Sequence, residues 1–378
     1  MRRRLMIGLA AGMAMRAFCA EPVTVAQLEQ VLVVSHAASD AQMATRLSEM
    51  QLTERLDSAT LARLIDGLHG EKSTQALTVV ADMSAFLAAP AAEIPAEANP
   101  DAGRQRQIMA KAVDYVMRMN HLLPNFFATR KTTRFEDWPK DLFVKDEVPA
   151  RHISPRMVDV SSATVRYREG KEEVSATAGR HKKAEASGQG LFSYGLFGPI
   201  LSTVLVDASR GTAVWSHWER GATKTLAVFR YTVPMEKSNY QVKFCCVPVG
   251  GMVLSLLNRV SAYHGEITVD PDDGTIVRLT LQADLDQGDL PTLLQEAGED
   301  MPLSRADVMV EYGPVDIGGK TYYCPTRSVA VSKARAVLVS GDDKAARLGP
   351  TKIFVNDAAF TQYHVFRSES RILLDGSQ

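Results

Sequence analysis

The sequence predicts an α+β protein in which an N-terminal helical module is followed by a curved antiparallel β-sheet, a half-barrel, with covering helices. Three observations carry this expectation. Between Val23 and Leu87 apolar residues recur at three-to-four spacing, the period of a helix. Beyond His121 the period falls to two, as in strands with one buried face. Between the two lies AAPAAEIPAEANP, residues 88–100, whose prolines exclude a helix interior and which offers no apolar face, so it reads as a linker. At 378 residues, 46% hydrophobic and 23% charged, the chain is an ordinary globular one. Lys and Arg number 43 against 44 Asp and Glu, which leaves no strong field to recruit nucleic acid.

The first stretch, MRRRLMIGLAAGMAMRAFCA, sets Arg2, Arg3 and Arg4 before an apolar run, Leu5 to Met15, and then small residues. That is the outline of a signal peptide over residues 1–20, and it implies export to a periplasmic or extracellular space. The run is shorter than the roughly 20 residues a transmembrane helix needs, so no transmembrane helix is expected. Cys19 could take a lipid anchor, but Arg16-Ala17-Phe18 before it is a poor lipoprotein signal.

Residues 21–95 read as the helical module. Thr24, Ser39 or Asp40, Asp57 and Ser73 are the expected N-caps, because their side chains can accept from amides of the first turn. Leu28, Val31, Leu32, Met43, Leu47, Leu61, Leu64 and Leu68 form the expected buried stripe. After the linker, DAGRQRQIMAKAVDYVMRMN carries Ile108, Ala112, Val116 and Met119 on one side of a further helix.

Residues 96–378 form the expected half-barrel domain. FFATRKTTRF, SSATVRYREG, LAVFRYTVP, YQVKFCCV, GEITVD, TIVRLTLQAD, ADVMVEYG, KTYYCPTRSVAVS and AFTQYHVFRSESRIL alternate or nearly so. In the sixth, Val277, Leu279, Leu281 and Ala283 share one face, and Arg278, Thr280 and Gln282 the other, expected wet, face. Asp272-Asp273-Gly274 and Gly318-Gly319 mark hairpins. LFGPILSTVLVDA can supply a short helix, and GRHKKAEASGQG and residues 286–305 read as loops.

In an oxidising compartment cysteines tend to pair. Cys324 sits on a strand of the proposed sheet. A disulfide from Cys246 to Cys324 is the favoured reading, with Cys245 as the rival partner. A vicinal bridge between Cys245 and Cys246 would strain its own peptide.

His217-x-Glu219 and His264-x-Glu266 each project an imidazole and a carboxylate to one strand face. Two such pairs on neighbouring strands could build a metal site, the alternative to having none. Against it stands the fact that polar residues alternate onto the wet face of any sheet. Trp215, Trp218, Phe229, Tyr231, Tyr322 and Tyr323 cluster on strand candidates and could line a groove for an apolar ligand, although core packing would also gather them. No motif names a catalytic residue or a cofactor.

GEITVDPDDGTIVRLTLQAD with ADVMVEYGPVDIGGKTYYCPTRSVAVS resembles the late strands of outer-membrane lipoprotein carriers (LolA-like proteins). The chain as a whole resembles an uncharacterised family of exported bacterial proteins. The carrier resemblance spans about residues 120–373 and implies a half-barrel that handles a hydrophobic ligand. The expected function is therefore non-enzymatic binding of a lipid, acyl chain or lipoprotein-like segment in a curved-sheet groove. Two other readings stay open: a metal-dependent enzyme using the His-x-Glu pairs, and a structural envelope protein whose N-terminal helices bind a partner.

Overall fold

The computed structural model describes residues 21–137 (36 aside), 154–176, 190–285 (246, 250, 251, 255 and 256 aside), 303–339 and 346–365. It is an α+β fold built on a large open antiparallel sheet. No helix among the described residues is long and apolar enough to cross a membrane.

The N-terminal third is helical: α1 (Val25–Val34), α2 (Asp40–Ser48), α3 (Ser58–Asp66) and α4 (Glu71–Ser84). Two short strands, β1 (Glu21–Val23) and β2 (Met50–Leu52), pair in parallel beside them. Thr24 and Ser39 close capping boxes with Gln27 and Gln42, and Asp57 accepts from Ala59 and Thr60. The fourth expected cap differs. Helix α4 starts at Glu71, ahead of Ser73, and its free amides at Lys72 and Ser73 donate to Asp40 of α2. A cap borrowed from another helix leaves no local signature. Leu28, Met43, Leu47, Leu61 and Leu64 of the expected stripe are buried, together with Leu77 and Val80 of α4.

Helix α5 (Ala102–Leu122) buries Ile108, Ala112, Val116 and Met119, as its periodicity requires. It leads into β3 (Phe126–Glu136), β4 (Arg156–Arg168) and β5 (Lys171–Ala176). After β6 (Gly190–Leu191), helix α6 (Pro199–Arg210) takes the expected LFGPILSTVLVDA segment. Then come β7 (Thr212–Arg220), β8 (Thr225–Val233), β9 (Gln241–Cys245), β10 (Val247–Val249), β11 (Met252–Leu254) and β12 (Leu257–Val260). The chain closes with β13 (Ala262–Val269), β14 (Ile276–Asp284), β15 (Leu303–Asp316), β16 (Thr321–Val339) and β17 (Ala346–Val365).

The main sheet runs β5-β4-β3-β17-β16-β15-β14-β13-β8-β7, with β10 and β11 attached at β16. Pairing of β17 with β3 joins the two ends of the meander in mid-sheet, and β5 and β7 stay at the edges. The expected hairpins form with Gly274, Gly318 and Gly319 at positive φ, the region that glycine enters without Cβ strain. The loop expected over 286–305 ends sooner, because Leu303 already opens β15; the rest of it and most of GRHKKAEASGQG lie outside the described residues.

One expectation is overturned by the layering. The alternation implied a sheet with one wet face, whereas both faces are covered. On one side α5, α6 and the small sheet β12-β9-β6 enclose the main core, which holds Phe126, Tyr167, Phe197, Tyr263 and Phe244. On the other side α4 and the turn after it press Val79, Met83, Ala85 and Phe86 onto Phe135, Met309, Val329, Val331 and Val355. Arg278 and Thr280, expected in water, are consequently buried.

Candidate functional site

The aromatic candidates belong to the covered side. Phe229 and Tyr231 are core residues, and the Tyr231 hydroxyl donates to the Thr280 carbonyl at 2.6 Å. A β-bulge between Trp215 and His217 brings Trp215 and Trp218 to the same face, ring centroids 4.7 Å apart, with Phe229 edge-on to Trp215. Their indole N–H groups donate to Asn99 Oδ1 (3.1 Å) and to the Ala98 carbonyl (3.0 Å), so the segment 88–100 lies over them. Tyr322 is half-buried against the main core and Tyr323 is half-buried beside it. Phe229 and Tyr231 are thus packed in the core, while Trp215, Trp218, Tyr322 and Tyr323 stay partly exposed.

The cysteine expectation fails on topology. Cys324 is a free, buried thiol on β16 of the main sheet, and burial pushes it up to about 12. Cys245 ends β9, which belongs to the separate three-stranded sheet, and it takes part in a disulfide whose other half lies outside the described residues. The expected bridge from Cys246 or Cys245 to Cys324 is therefore absent, since Cys324 is free; Cys245 lies on β9 of the three-stranded sheet, while Cys324 lies on β16 of the main one. Cys246 itself lies outside the described residues.

The two His-x-Glu pairs do reach one face, the one beneath the N-terminal helices, but they sit on β7 and β13, with β8 between them. His217 stands level with Val228 and Thr268; His264 stands level with Thr232, farther along the same strands. His264 Nδ1 lies 3.1 Å from Asp284 Oδ1, and Glu266 pairs with Arg230 at 3.0 Å. Glu219 Oε1 takes Arg55 Nη2 at 2.7 Å, and its Oε2 lies 3.6 Å from His217 Nε2. Each of the two glutamates is thus paired with an arginine, and no group of three His, Cys, Asp or Glu among the described residues could hold a metal ion.

What the alternation concealed is a seam of buried charge. Register places His217, Val228, Thr268, Arg278, Glu311 and Arg327 in one row across β7, β8, β13, β14, β15 and β16. Over this row lie residues of the helices. Arg327 binds Asp82 of α4, Asp357 (3.0 Å) and Ser58 Oγ (2.8 Å), and Ser58 donates to Glu311 at 2.6 Å. Arg278 donates to the Ala85 carbonyl at the end of α4. Burial and the neighbouring Arg55 bring Arg278 down to about 10, against Glu311, Glu219 and Glu266. Burial alone would raise the Glu219 carboxyl, but His217, Arg55 and Arg278 together hold it at about 2. Arg55, Asp82 and Arg327 were not singled out from the sequence, and Arg278 was expected in water. Arg278 and Arg327 read as ordinary charges on the open face of a strand, and Arg55 and Asp82, outside the strands, carried no local signal.

A different kind of site opens on the helices. A cleft of about 300 Å³ lies among α1, α2, α3 and the start of α4, floored by Leu32, Val33, Met43, Leu64 and Leu68. Glu29, Asp40, Arg63, His69 and Ser73 stand around it, with Arg63 and Glu29 ion-paired. Val33 in this lining is 76% exposed, and Val34 next to it in sequence is 84% exposed. No protein-family model, curated protein or solved structure matches this chain, and its function is therefore argued from its own chemistry.

Proposed function

We propose that this chain is an exported, non-enzymatic protein that binds an acyl chain, and that the chain enters the cleft on α1–α4. In this reading residues 21–95 act as a recognition module, and the sheet is a half-barrel scaffold related to that of the lipoprotein carriers. One contrast carries the proposal: the helical layer keeps an open cleft with an apolar floor that includes the exposed Val33, while the inner face of the sheet is packed. Its volume is at the small end of ligand pockets, and its apolar floor with a few polar groups around it suits a chain with a polar head. Arg63 and His69 line the cleft and are the groups a carboxylate or phosphate head would meet, Arg63 exchanging its pairing with Glu29 for the head.

The test is titration of the whole protein with a fluorescent fatty acid, together with native mass spectrometry of the purified protein for co-purifying acyl species. Saturable binding is expected, and Leu68→Trp, which fills the cleft, should weaken it at least about tenfold, a loss of ~1.4 kcal/mol. Absence of saturable binding would overturn the proposal. So would binding untouched by Leu68→Trp but lost in Val204→Phe, which would move the ligand beneath the sheet. Free fatty acid, phospholipid and lipopeptide then compete for the probe to identify the source of the chain.

A further inference from the structure

We propose that the cluster around Arg55 is a proton-operated clamp, which sets how firmly the 88–100 strap and the N-terminal helices hold the β7 edge of the sheet. The proposal does not depend on the acyl-chain reading. The strap is tied along its length: Ala88 accepts from Arg55 N (2.8 Å), Glu97 from Thr225 Oγ1 (3.2 Å), Ala98 from Trp218, and Asn99 from Trp215. In its middle, Glu93 Oε2 lies 3.3 Å from Arg55 Nη2, the same nitrogen that Glu219 takes at 2.7 Å. The Asp57 carboxylate, which caps α3, stands near the Glu93 carboxyl and adds to the negative field on it.

Glu93 and Glu219 share one guanidinium nitrogen, and a proton on one of the two carboxyls removes their mutual repulsion. The facing charges reinforce the point. Glu93 meets Arg55 and Asp57 from the β2–α3 connection and Glu219 from β7. His217 lies beside Glu219, and Arg278 of β14 and Glu266 of β13 complete the charged shell around Arg55 and Glu219. With Glu93 ionised, it shares one guanidinium with Glu219 while the Asp57 carboxylate repels it from nearby, where strap, helix and strand meet. With Glu93 protonated, its repulsion with Asp57 and Glu219 is removed, and its Oε2 stays on Arg55.

Burial, assisted by Asp57 and Glu219 and opposed by Arg55, pushes the Glu93 carboxyl up to about 7. A raised carboxyl makes the folded state the better proton binder. The clamp is therefore tightest in acid and loosens as pH rises through about 7.

The chain has three tryptophans, and replacing Trp138 by Phe leaves Trp215 and Trp218, both under the strap, as reporters. In the full-length protein, acrylamide quenching should rise at least about twofold from about pH 5.5 to about pH 8.5. Glu93→Gln, which mimics the protonated group, should hold the low-quenching state throughout. Glu93→Asp should keep a pH dependence. Hydrogen-exchange protection corrected for intrinsic rates should fall over residues 88–100 while β3 stays unchanged. Quenching that does not vary with pH, the same variation in Glu93→Gln, or equal loss of protection in β3 would each overturn the clamp.

Discussion

Arg327 shows what a single residue does in this fold. Its guanidinium reaches Asp82, Asp357 and Ser58, and Asp82 is fully buried on α4. Removing one partner of a buried pair leaves the other without compensation, which costs more than the pair contributes to stability. Arg327→Met should therefore destabilise the protein by about 3–5 kcal/mol in urea unfolding, and adding Asp82→Leu should recover part of that loss. Glu219 gives a pH prediction of definite sign. Its carboxyl is held at about 2 against an ordinary value of 4.5, so its contribution is complete above about 4.5 and lost as pH falls toward 2. Glu219→Gln should flatten the acid limb of the stability profile between those values. None of these partners could be read in the sequence, because the residues that meet at Arg327 and Arg55 lie far apart along the chain.

At the scale of elements, the Asp270–Thr275 turn is the informative one. Lys111 Nζ of α5 donates to the carbonyls of Pro271 (3.2 Å) and Asp272 (2.6 Å), and Lys224 pairs with Asp270 at 2.6 Å. Gly274 has φ +83°, and a Cβ there would collide with the backbone of α5 at Lys111; Gly319 has φ +82° and open space around it. Comparing the two alanine variants separates conformation from contact. Gly319→Ala should cost about 1 kcal/mol for its left-handed φ alone. Gly274→Ala should cost a further 1–3 kcal/mol or so, because the hairpin and α5 must part. The hairpin itself was legible as Asp-Asp-Gly between alternating runs; its seat on α5, more than 150 residues earlier, was not. The proline-rich segment gives the reverse case. It reads as a linker because it has no regular period, yet its carbonyls and its side chains at Glu93, Glu97 and Asn99 fasten it to β7, β8 and the helices.

For the whole molecule the question is whether the sheet can stand without the N-terminal helices. The face under α4 carries Val329, Val331, Val355 and Met309 beside Arg278 and Arg327, so removing the helices would expose a contiguous apolar surface and strip buried charges of their partners. Residues 96–378 expressed alone should be insoluble, or soluble with strong binding of an apolar dye and broad thermal unfolding. The full chain should unfold with a sharp transition. If the isolated sheet instead folds cooperatively, the seam is a docking surface between independent units.

The sequence by itself determined the elements. Three-to-four periodicity marked α1–α5, alternation with glycine turns marked the strands, and Thr24, Ser39 and Asp57 marked three helix starts, because each of these signals is carried by residues within a turn or two of one another. Tertiary structure alone decided what each face meets. It put β9 in a second sheet away from Cys324, laid α4 over the charged row of β14–β16, and set Glu93 and Glu219 on one arginine. The physical reason is that alternation separates two faces without saying which is wet. A charged residue on a strand reads alike whether it faces water or a helix brought from elsewhere in the chain.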